Sequence, residues 1–327
     1  MTTLRVPSSL PARLMRAASN MLTPFQDADR LCVLNYHRIL TQPDPLFVDE
    51  PTVETFRWQM RLLARYFNVL SLPEAVAGLT TGRLPARAVC ITFDDGYRSI
   101  HDLAMPVLNE FGLPATVFVS TAYLDSGTMW NETIADAVRR LPGGAVDLSG
   151  TGIGTRELRT GDDRRKVLNE LTAHAKYLPP AERLALTERL AEMVGGSHAD
   201  NLMLTPEMIR TMAAQRFEIG AHTVSHPILT SLSDDAARHE IVQGKHDLEA
   251  ITGTPVRYFA YPNGKVDKDF NERHVTMVRE AGFAAAFSTE VGPAVRGRDL
   301  YRLPRSRPWD HTPVLFGLRL LRWLAQE

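Results

Sequence analysis

Short, nearly continuous apolar segments recur along this chain, and amphipathic stretches separate most of them. Segments of this kind are typical of parallel strands buried on both faces beneath covering helices. The predicted strands are 31–37, 68–72, 88–93, 115–120, 216–222, 257–262, 284–289 and 301–305. Helical patterns lie at 53–66, 99–112, 205–215, 234–252 and 269–281. Seven or eight such units predict an α/β fold and favour a barrel over an open sheet, although spacing alone allows both.

One segment interrupts this alternation. At 327 residues the chain can bury a large core, and its length alone allows one large α/β domain or two small ones. The alternation of strands and helices favours one barrel over 31–310. Residues 125–200, called the insertion below, contain no convincing strand and resemble two amphipathic helices joined at Pro179 and Pro180. Such an insertion either forms a lid or wall of the substrate site or only covers the barrel. Both interpretations stay open.

The two ends of the chain have helical patterns. Residues 1–30 predict a basic helical extension, and residues 311–327 predict an amphipathic helix with an apolar stripe of Leu315, Leu318, Leu321 and Leu324. Core packing is favoured over membrane contact for both helices. No segment has the roughly 20 apolar residues that a membrane span requires. We therefore expect a cytoplasmic protein, with peripheral membrane contact through these helices as the alternative.

The charge and cysteine content exclude two classes of protein. A formal net charge of -1 gives no electrostatic reason to bind nucleic acid, so we expect no nucleic-acid partner. The two cysteines, Cys32 and Cys90, lie inside apolar runs. They behave there as small hydrophobic residues, and the fold does not depend on a disulfide framework.

Two aspartates follow the predicted strand 88–93. An isolated Asp-Asp-Gly would be explained by a helix cap and a turn. However, another apolar run ends in His222, and His226 follows four residues later. Two imidazoles and one carboxylate are the ligand set of a catalytic zinc-type site. A divalent cation bound by one carboxylate would also offset the repulsion between Asp94 and Asp95.

Three motifs carry a resemblance to a known family. TFDDGY (92–97) and HTVSHP (222–227) resemble the first two motifs of the polysaccharide deacetylases, the NodB-homology proteins of carbohydrate esterase family four. RYFAYPNGK (257–265) resembles their third motif, and LNYHRI (34–39) resembles the first strand of many members. The motifs occur in the family's order, and the resemblance extends over about 31–306.

The resemblance implies a distorted (β/α)7-type barrel, similar to a TIM barrel, with the active site at the carboxyl ends of its strands. It implies that Asp95, His222 and His226 bind a divalent metal and that Asp94 is the general base. Zinc is the expected metal from the ligand types, with cobalt, nickel, manganese or iron as alternatives. A backbone N–H near Asn263 would stabilise the oxyanion.

The third motif departs from the family pattern. Ala260 stands where many members have an arginine, and Asn263 stands where they have a tyrosine. The arginine that orients the base must therefore come from elsewhere. Arg302, Arg305 and Arg257 are the candidates, and each could instead be a surface cation or a structural ion pair.

The general acid is the second departure, because the family's late leucine–x–histidine motif is not evident. His311 stands near that position but beyond the strand. His37 ends the first predicted strand on the same rim as the other motifs, so we expect it to be the acid. A histidine bonded to backbone inside the barrel is the alternative. Tyr261, Asn263 and Trp130, together with Arg302 and Arg305, are the expected substrate-binding residues; Trp130 is either a sugar platform or an anchor.

Together with these residues, the resemblance implies a metal-dependent hydrolase that removes N-acetyl, less often O-acetyl, groups from a sugar. The expected substrate is a polysaccharide or a cytoplasmic or lipid-linked glycan precursor. One alternative keeps the site but hydrolyses non-sugar C–N bonds, such as formamides or cyclic amides. Another is a glycan-binding protein with a weak or lost active site, which the unassigned acid and arginine would favour and the intact metal motifs oppose.

Overall fold

The computed structural model describes residues 29–125, 127–199, 201–308 and 310–326, so nearly all of the expected extension at 1–30 lies outside the described residues. Within these ranges the strands are β1 (Arg30–Tyr36), β2 (Asn68–Val69), β3 (Ala88–Phe93), β4 (Ala115–Val119), β5 (Ala145–Leu148), β6 (Gly154–Glu157), β7 (Phe217–Ala221), β8 (Tyr258–Ala260), β9 (Ala285–Phe287) and β10 (Ala294–Val295).

The helices alternate with these strands. They are α1 (Val53–Tyr66), α2 (Leu72–Thr81), α3 (Met105–Phe111), α4 (Trp130–Arg140), α5 (Gly161–Lys176), α6 (Pro180–Met193), α7 (Pro206–Ala213), α8 (Asp234–Thr252), α9 (Glu272–Glu280) and α10 (Pro313–Ala325). The helix expected at 99–112 is confirmed over 99–111, but its Ile100–Ala104 part is π-helical and α3 follows it directly. Pro106 explains the difference, because it has no N–H to continue a regular helical hydrogen-bond ladder.

The main sheet has the order β10-β1-β3-β4-β7-β8-β9, and β2 also pairs with β3. All of these pairs are parallel except that between β1 and β10. The sheet is curled, because Phe118 of β4 and Phe287 of β9 have ring centroids only 5.6 Å apart although β7 and β8 separate their strands. The expected α/β barrel-type fold is confirmed.

The prediction of a regular strand at 301–305 is wrong. Leu300–Arg302 is a 3-10 turn, and the residues after it make single bridges, Leu303 to Phe287 and Ser306 to Leu34. Pro304 lies between the bridging residues and has no N–H to donate, so a continuous ladder cannot form. These bridges nevertheless join β9 to β1 and bring residues 303–306 to the barrel rim.

Both faces of the parallel strands are buried. In β1, Leu31 and Val33 pack into a cluster with α2 and the barrel interior, whereas Cys32 and Leu34 pack into the larger cluster beneath the outer helices. Both cysteines are free and buried. This arrangement explains why the strands are continuously apolar instead of alternating.

The insertion has its own apolar cluster, formed by α4, α5, α6 and a β5–β6 hairpin. The expectation of no strand there was wrong. Each strand of the hairpin has only four residues, and β5 buries alternate positions, Val146 and Leu148. Such a short pattern is hard to distinguish from a loop in a sequence. Helix α6 begins at Pro180, as the Pro179-Pro180 pair indicates.

Helix α10 covers one side of the barrel. It buries Phe316, Leu320 and Leu324 and packs Phe316 edge-on against Trp58 of α1, with centroids 5.6 Å apart. The predicted buried stripe was wrong at Leu315 and Leu318, which are exposed. Packing against α1 buries the residues spaced four apart, Phe316, Leu320 and Leu324, in place of the full predicted stripe. Among the described residues, no helix combines the length and apolar character needed to cross a membrane.

Candidate active site

The Asp94–Asp95 pair lies in a tight turn at the carboxyl end of β3. The backbone N–H of Asp94 donates to the carbonyl of Tyr36, which ties the turn to the end of β1. Asp95 then has a left-handed φ of 72°, and Gly96 has a φ of 88°. A Cβ at Gly96 would also lie only 3.0 Å from Val119 Cγ1, so glycine is required there. Both carboxylates are buried.

Arg305 holds the first of these carboxylates. Its Nη1 and Nη2 atoms donate to the two oxygens of Asp94 at 2.7 Å each, and its Nε donates to the carbonyl of Ser288. Its guanidinium lies over the Phe118 ring. Burial alone raises the pKa of Asp94, but the charges of Arg305 and His222 outweigh it and hold that pKa below its usual value. Asp94 is therefore a fixed, ionised carboxylate.

The other candidate arginines have different partners. Arg302 forms an ion pair with Glu272, and Arg257 lies 3.7 Å from Glu218 on the surface. This ion pair does not test substrate binding, so Arg302 as a substrate-binding residue stays a prediction. The bridges that close the barrel bring Arg305, not Arg302, to the rim.

Asp95 faces two imidazoles. Its Oδ1 atom lies 3.5 Å from His222 Nε2 and 3.4 Å from His226 Nε2, and the potential ligand atoms of the three residues all lie within 4.8 Å of one another. His222 Nδ1 lies 2.8 Å from the carbonyl of Ala260, so this nitrogen carries the proton and Nε2 is left as an acceptor. Within the described residues Asp95 Oδ1 has no hydrogen-bond partner although it is buried.

This geometry fits a cation. The two contacts to Asp95 are longer than good hydrogen bonds. They are close to the edge of about 3.3 Å expected between ligands of a tetrahedral zinc with bonds of about 2.0–2.1 Å. A buried, unpartnered carboxylate oxygen beside two ring nitrogens is stabilised when a positive ion is shared among them. The residues present therefore fit a divalent metal.

The His222–His226 loop has an unusual backbone. Thr223 and His226 have left-handed φ values of 67° and 52°, which cost roughly 1 kcal/mol or more each for residues other than glycine. His226 N–H donates to Thr223 Oγ1, which closes the turn. Gly244 of α8 is required beneath it, because a Cβ there would lie 2.9 Å from the backbone of Thr223.

Glu240 of α8 clamps this loop. Its Oε2 atom accepts from the backbone N–H groups of Val224 and Ser225 at 2.8 Å each, and its Oε1 atom accepts from the Ser225 hydroxyl at 2.6 Å. Tyr123 adds a hydrogen bond from its hydroxyl to the Ser225 carbonyl. Both Glu240 oxygens are thus used to fix the loop that presents His226.

The two histidines differ in their electrostatics. Burial lowers the pKa of His226 to about 3, so this imidazole is neutral and can donate a lone pair. Burial also acts to lower the pKa of His222, but the charges of Asp94 and Asp95 outweigh it and raise that pKa. For Asp95, burial is outweighed by His222 and His226, and its pKa lies below the usual value.

His37 follows β1 at the same rim. Burial, followed by the charge of Arg307, lowers its pKa, while Asp95 and Asp94 act in the opposite direction. Its Nδ1 atom is buried without a hydrogen-bond partner among the described residues, which does not match a histidine fixed to backbone through that atom. His311 is exposed. His37 as the acid stays a prediction.

The remaining predicted substrate residues have different environments. Tyr261 is fully buried, stacks on Phe270 with centroids 3.7 Å apart and donates its hydroxyl to the Tyr301 carbonyl, so its predicted contact with substrate is wrong. Asn263 is half-buried at a left-handed φ of 59°, and its N–H makes no hydrogen bond within the described ranges. Trp130 packs on the insertion's apolar cluster, with Arg183 over its ring.

A buried polar network next to the site was not predicted. Arg38 donates to Glu132 at 2.9 Å and to the Tyr97 hydroxyl at 2.7 Å, and Tyr97 donates to Glu132 at 2.8 Å. Glu132 lies in α4, so the network joins the insertion to the Asp94–Asp95 turn. Arg38 and Tyr97 lie inside the quoted motifs, but Glu132 is 94 residues from Arg38 and gives no local signal.

Comparisons with known proteins identify the family of this chain. The sequence profile of the family described as "Polysaccharide deacetylase" matches residues 81–286, which include both aspartates and both histidines. YxkH of Bacillus subtilis, named after the same family, is 22% identical over 280 residues, covering 85% of this chain and 71% of its own length. The poly-beta-1,6-N-acetyl-D-glucosamine N-deacetylase of Staphylococcus epidermidis is 34% identical over 112 residues, 30% of this chain and 38% of that protein.

The structure of the deacetylase PplD of Streptococcus pyogenes, in complex with acetate, has the same fold. It superposes with a TM-score of 0.59 at 20% identity, over 90% of this chain and 98% of PplD. The profile match covers well over half of the chain and includes the Asp94–Asp95 turn and the His222–His226 loop. The chain belongs to the polysaccharide deacetylase family.

Proposed function

We propose that this protein is a metal-dependent hydrolase that removes N-acetyl groups from a sugar of a polysaccharide or of its precursor. The observation that carries the proposal is the convergence of Asp95, His222 and His226 beside Asp94, which Arg305 holds in place. The Staphylococcus epidermidis relative is named for an N-acetylglucosamine polymer, which supports N-acetylglucosamine as the sugar to test first.

Asp95, His222 and His226 would hold the metal, and zinc suits two imidazoles and a carboxylate. When bound, such a cation polarises an acyl oxygen and lowers the pKa of a water molecule toward about 7. The protein prepares the site for it in two ways. The Ala260 carbonyl orients the His222 ring, and Glu240 fixes the loop that carries His226.

Asp94 and His37 would transfer protons, and Asn263 would stabilise the charge that develops on the acyl oxygen. Asp94, kept ionised by Arg305, takes a proton from the water whose oxygen bonds to the acyl carbon. The N–H of Asn263, which has no hydrogen-bond partner among the described residues, is a candidate donor to the oxyanion. The C–N bond then breaks, and the leaving nitrogen receives a proton, for which His37 is the candidate donor. Because its pKa is lowered, His37 would have to gain that proton during the reaction, and the proton that Asp94 takes from the water is its source.

The test is acetate release from β-1,6- and β-1,4-linked N-acetylglucosamine oligomers by the zinc-loaded protein. We expect release that stops after chelation and returns on addition of zinc. Asp94→Asn should lower kcat by 100-fold or more, roughly the contribution of a general base. Asp102→Asn, at an exposed aspartate paired with Arg98, is the matched control and should leave kcat unchanged. Full activity in Asp94→Asn, or after complete metal removal, would overturn the proposal.

A further inference from the structure

A cavity of about 430 Å³ lies beside the end of β1. One part of its lining comes from residues within 43–52, in the loop that connects β1 to α1, and Gln59 of α1 adds to it. The rest includes Pro308 and Asp310, which follow the 303–306 segment. We call this space the β1 cavity. Its volume lies within the range of about 300–1,000 Å³ that small-molecule sites have.

Direct contacts place the β1 cavity next to the candidate active site. Phe47 lines the cavity, and its ring packs on the Arg38 guanidinium at 4.3 Å. The same guanidinium lies 4.1 Å from the ring centroid of Tyr97, which directly follows the turn that carries the two aspartates. Glu50, another lining residue, forms an ion pair with Arg307, two residues after the arginine that holds the proposed base. The cavity therefore adjoins the rim on which the base and the potential metal ligands stand.

One buried side chain of the β1 cavity has an unused hydrogen-bond donor. Gln59 lines the cavity with only 1% of its surface exposed. Its Oε1 atom accepts from the Tyr36 hydroxyl at 3.0 Å, whereas its Nε2 atom donates no hydrogen bond within the described residues. Nε2 is not closed off from solvent, so the small exposed part of this side chain presents an N–H group to the cavity. A ligand oxygen would satisfy this donor, which is costly to leave without an acceptor.

The other lining residues suit a neutral ligand that carries hydroxyl groups. Phe47, Val48 and four prolines offer apolar surface, on which the faces of a sugar ring can pack. Carboxylates also line the cavity, and those of Asp44, Glu50 and Asp310 have arginine partners. Asp49 has no ion pair among the described residues, so it can accept from a hydroxyl group and repels an anion. Within the described lining there is no lysine or arginine.

We propose that the β1 cavity binds a neutral sugar unit that is joined, in the same glycan, to the N-acetyl sugar being hydrolysed. This inference rests on the proposed function and narrows its substrate to an oligosaccharide or polymer of neutral sugars. Gln59 donates to an oxygen of the bound unit, Phe47 and Val48 pack on its ring, and Asp49 disfavours an anionic unit. These residues set specificity and take no part in bond cleavage.

The experiment measures how hydrolysis depends on the neighbouring sugars. The probes are methyl N-acetylglucosaminide, the di- and tetrasaccharides of N-acetylglucosamine, and a disaccharide of N-acetylglucosamine with glucuronic acid. Acetate release gives kcat/KM for each, and the length ratio is the value for the tetrasaccharide divided by that for the methyl glycoside. Val48→Trp fills the cavity from an exposed position, and Val291→Trp, at an exposed valine outside the cavity, is the matched control. Gln59→Met removes the donor. Thermal unfolding shows that each variant is folded.

We expect a length ratio of about ten or more in the wild type and in Val291→Trp. Val48→Trp should bring this ratio close to one, and Gln59→Met should lower it about fivefold, as loss of one hydrogen bond does. In the wild type the disaccharide with glucuronic acid should have a lower kcat/KM than the N-acetylglucosamine disaccharide. The subsite is overturned by a wild-type length ratio that persists in both Val48→Trp and Gln59→Met. A preference of the wild type for the anionic disaccharide overturns the assignment of a neutral unit.

The two proposals fail in distinguishable ways. If the wild type hydrolyses the methyl glycoside and the tetrasaccharide with equal kcat/KM, the deacetylase proposal stands and the subsite is wrong. If no probe is hydrolysed, the deacetylase proposal fails, and calorimetry with the tetrasaccharide decides on the subsite. A Kd that is about tenfold weaker in Val48→Trp than in Val291→Trp then supports it, and equal values overturn it.

Discussion

Arg305 donates two hydrogen bonds of 2.7 Å to the carboxylate of Asp94, a residue 211 positions earlier in the chain. The guanidinium stands on the 303–306 segment that joins β9 to β1, and the carboxylate stands at the end of β3. The segment that closes the barrel therefore also carries the arginine that keeps the proposed base ionised. The arginine absent from the third motif is supplied by this closing segment.

Removing Arg305 should change the pH dependence of hydrolysis. In the wild type, Arg305 holds the pKa of Asp94 low, so the base is ionised at neutral and mildly acidic pH. In Arg305→Gln the charge that most strongly lowers this pKa is lost, so the pKa rises from its wild-type position and the ionised fraction falls as the pH is lowered. We expect kcat/KM at pH 6 to fall by roughly tenfold or more and to recover partly at pH 8 to 9.

A profile of kcat/KM over pH 5 to 9 measures this effect. Arg302→Gln is the matched control, because Arg302 pairs with Glu272. Its acidic limb should coincide with that of the wild type. If folded Arg305→Gln has its acidic limb at the same pH as the wild type, Arg305 does not control the ionisation of Asp94.

His37 should act in turnover and not in metal binding. His37→Ala should lower kcat by 100-fold or more, because a general acid contributes about that factor to expulsion of an amine. The metal content should be unchanged, since Asp95, His222 and His226 are intact. His311→Ala, at the exposed histidine near the position of the family's late motif, should leave kcat as in the wild type. If kcat falls in His311→Ala and not in His37→Ala, His311 is the residue that protonates the leaving amine.

Glu240 should control the affinity for the metal. In Glu240→Gln one oxygen of the clamp becomes an NH2 group, so the loop loses an acceptor for Val224, Ser225 or the Ser225 hydroxyl. Loss of such an outer partner weakens metal binding by about 10- to 100-fold. Competition with a fluorescent zinc chelator measures this Kd. Glu280→Gln, at an exposed pair with Arg238, is the control, and equal Kd values in both variants would exclude the clamp.

The Arg38–Glu132 pair should contribute to stability. Glu132→Gln leaves Arg38 buried without its carboxylate, which typically costs about 3 kcal/mol in the free energy of unfolding. Glu110→Gln removes an exposed ion pair with Arg57 and should cost about 1 kcal/mol or less. Urea unfolding of the two variants gives both values. If the two losses are the same, the network does not hold the insertion to the barrel.

The sequence alone predicted the parts of this protein that local pattern determines. Continuous apolar runs gave most of the strands, and the position of polar residues at strand ends indicated that Asp95, His222 and His226 would meet. The pattern failed where Pro304 interrupts a strand ladder and in the short β5–β6 hairpin, and it did not reveal the π-helical part of the helix before Pro106. Cellular location, lipid linkage and membrane contact stay predictions.

Long-range partners could not be predicted. The sequence offered Arg257, Arg302 and Arg305 as equal candidates, and only the barrel closure distinguishes them. Glu132 lies in the insertion, where nothing in the local sequence indicates that α4 reaches Tyr97 beside the Asp94–Asp95 turn. Tyr261 lies in a recognised motif, yet its stacking on Phe270 buries it. Motifs show which residues share a rim, whereas packing decides which of them are accessible.

The central claim is that Asp95, His222 and His226 share one divalent cation on which hydrolysis depends. The most direct test is metal analysis of purified wild type, His222→Gln and His239→Gln, with acetate release measured on the same samples; His239 is exposed on α8. We predict about one zinc-type ion per chain and acetate release in the wild type and His239→Gln, and loss of both in folded His222→Gln. Stoichiometric metal and full activity in His222→Gln would contradict the account.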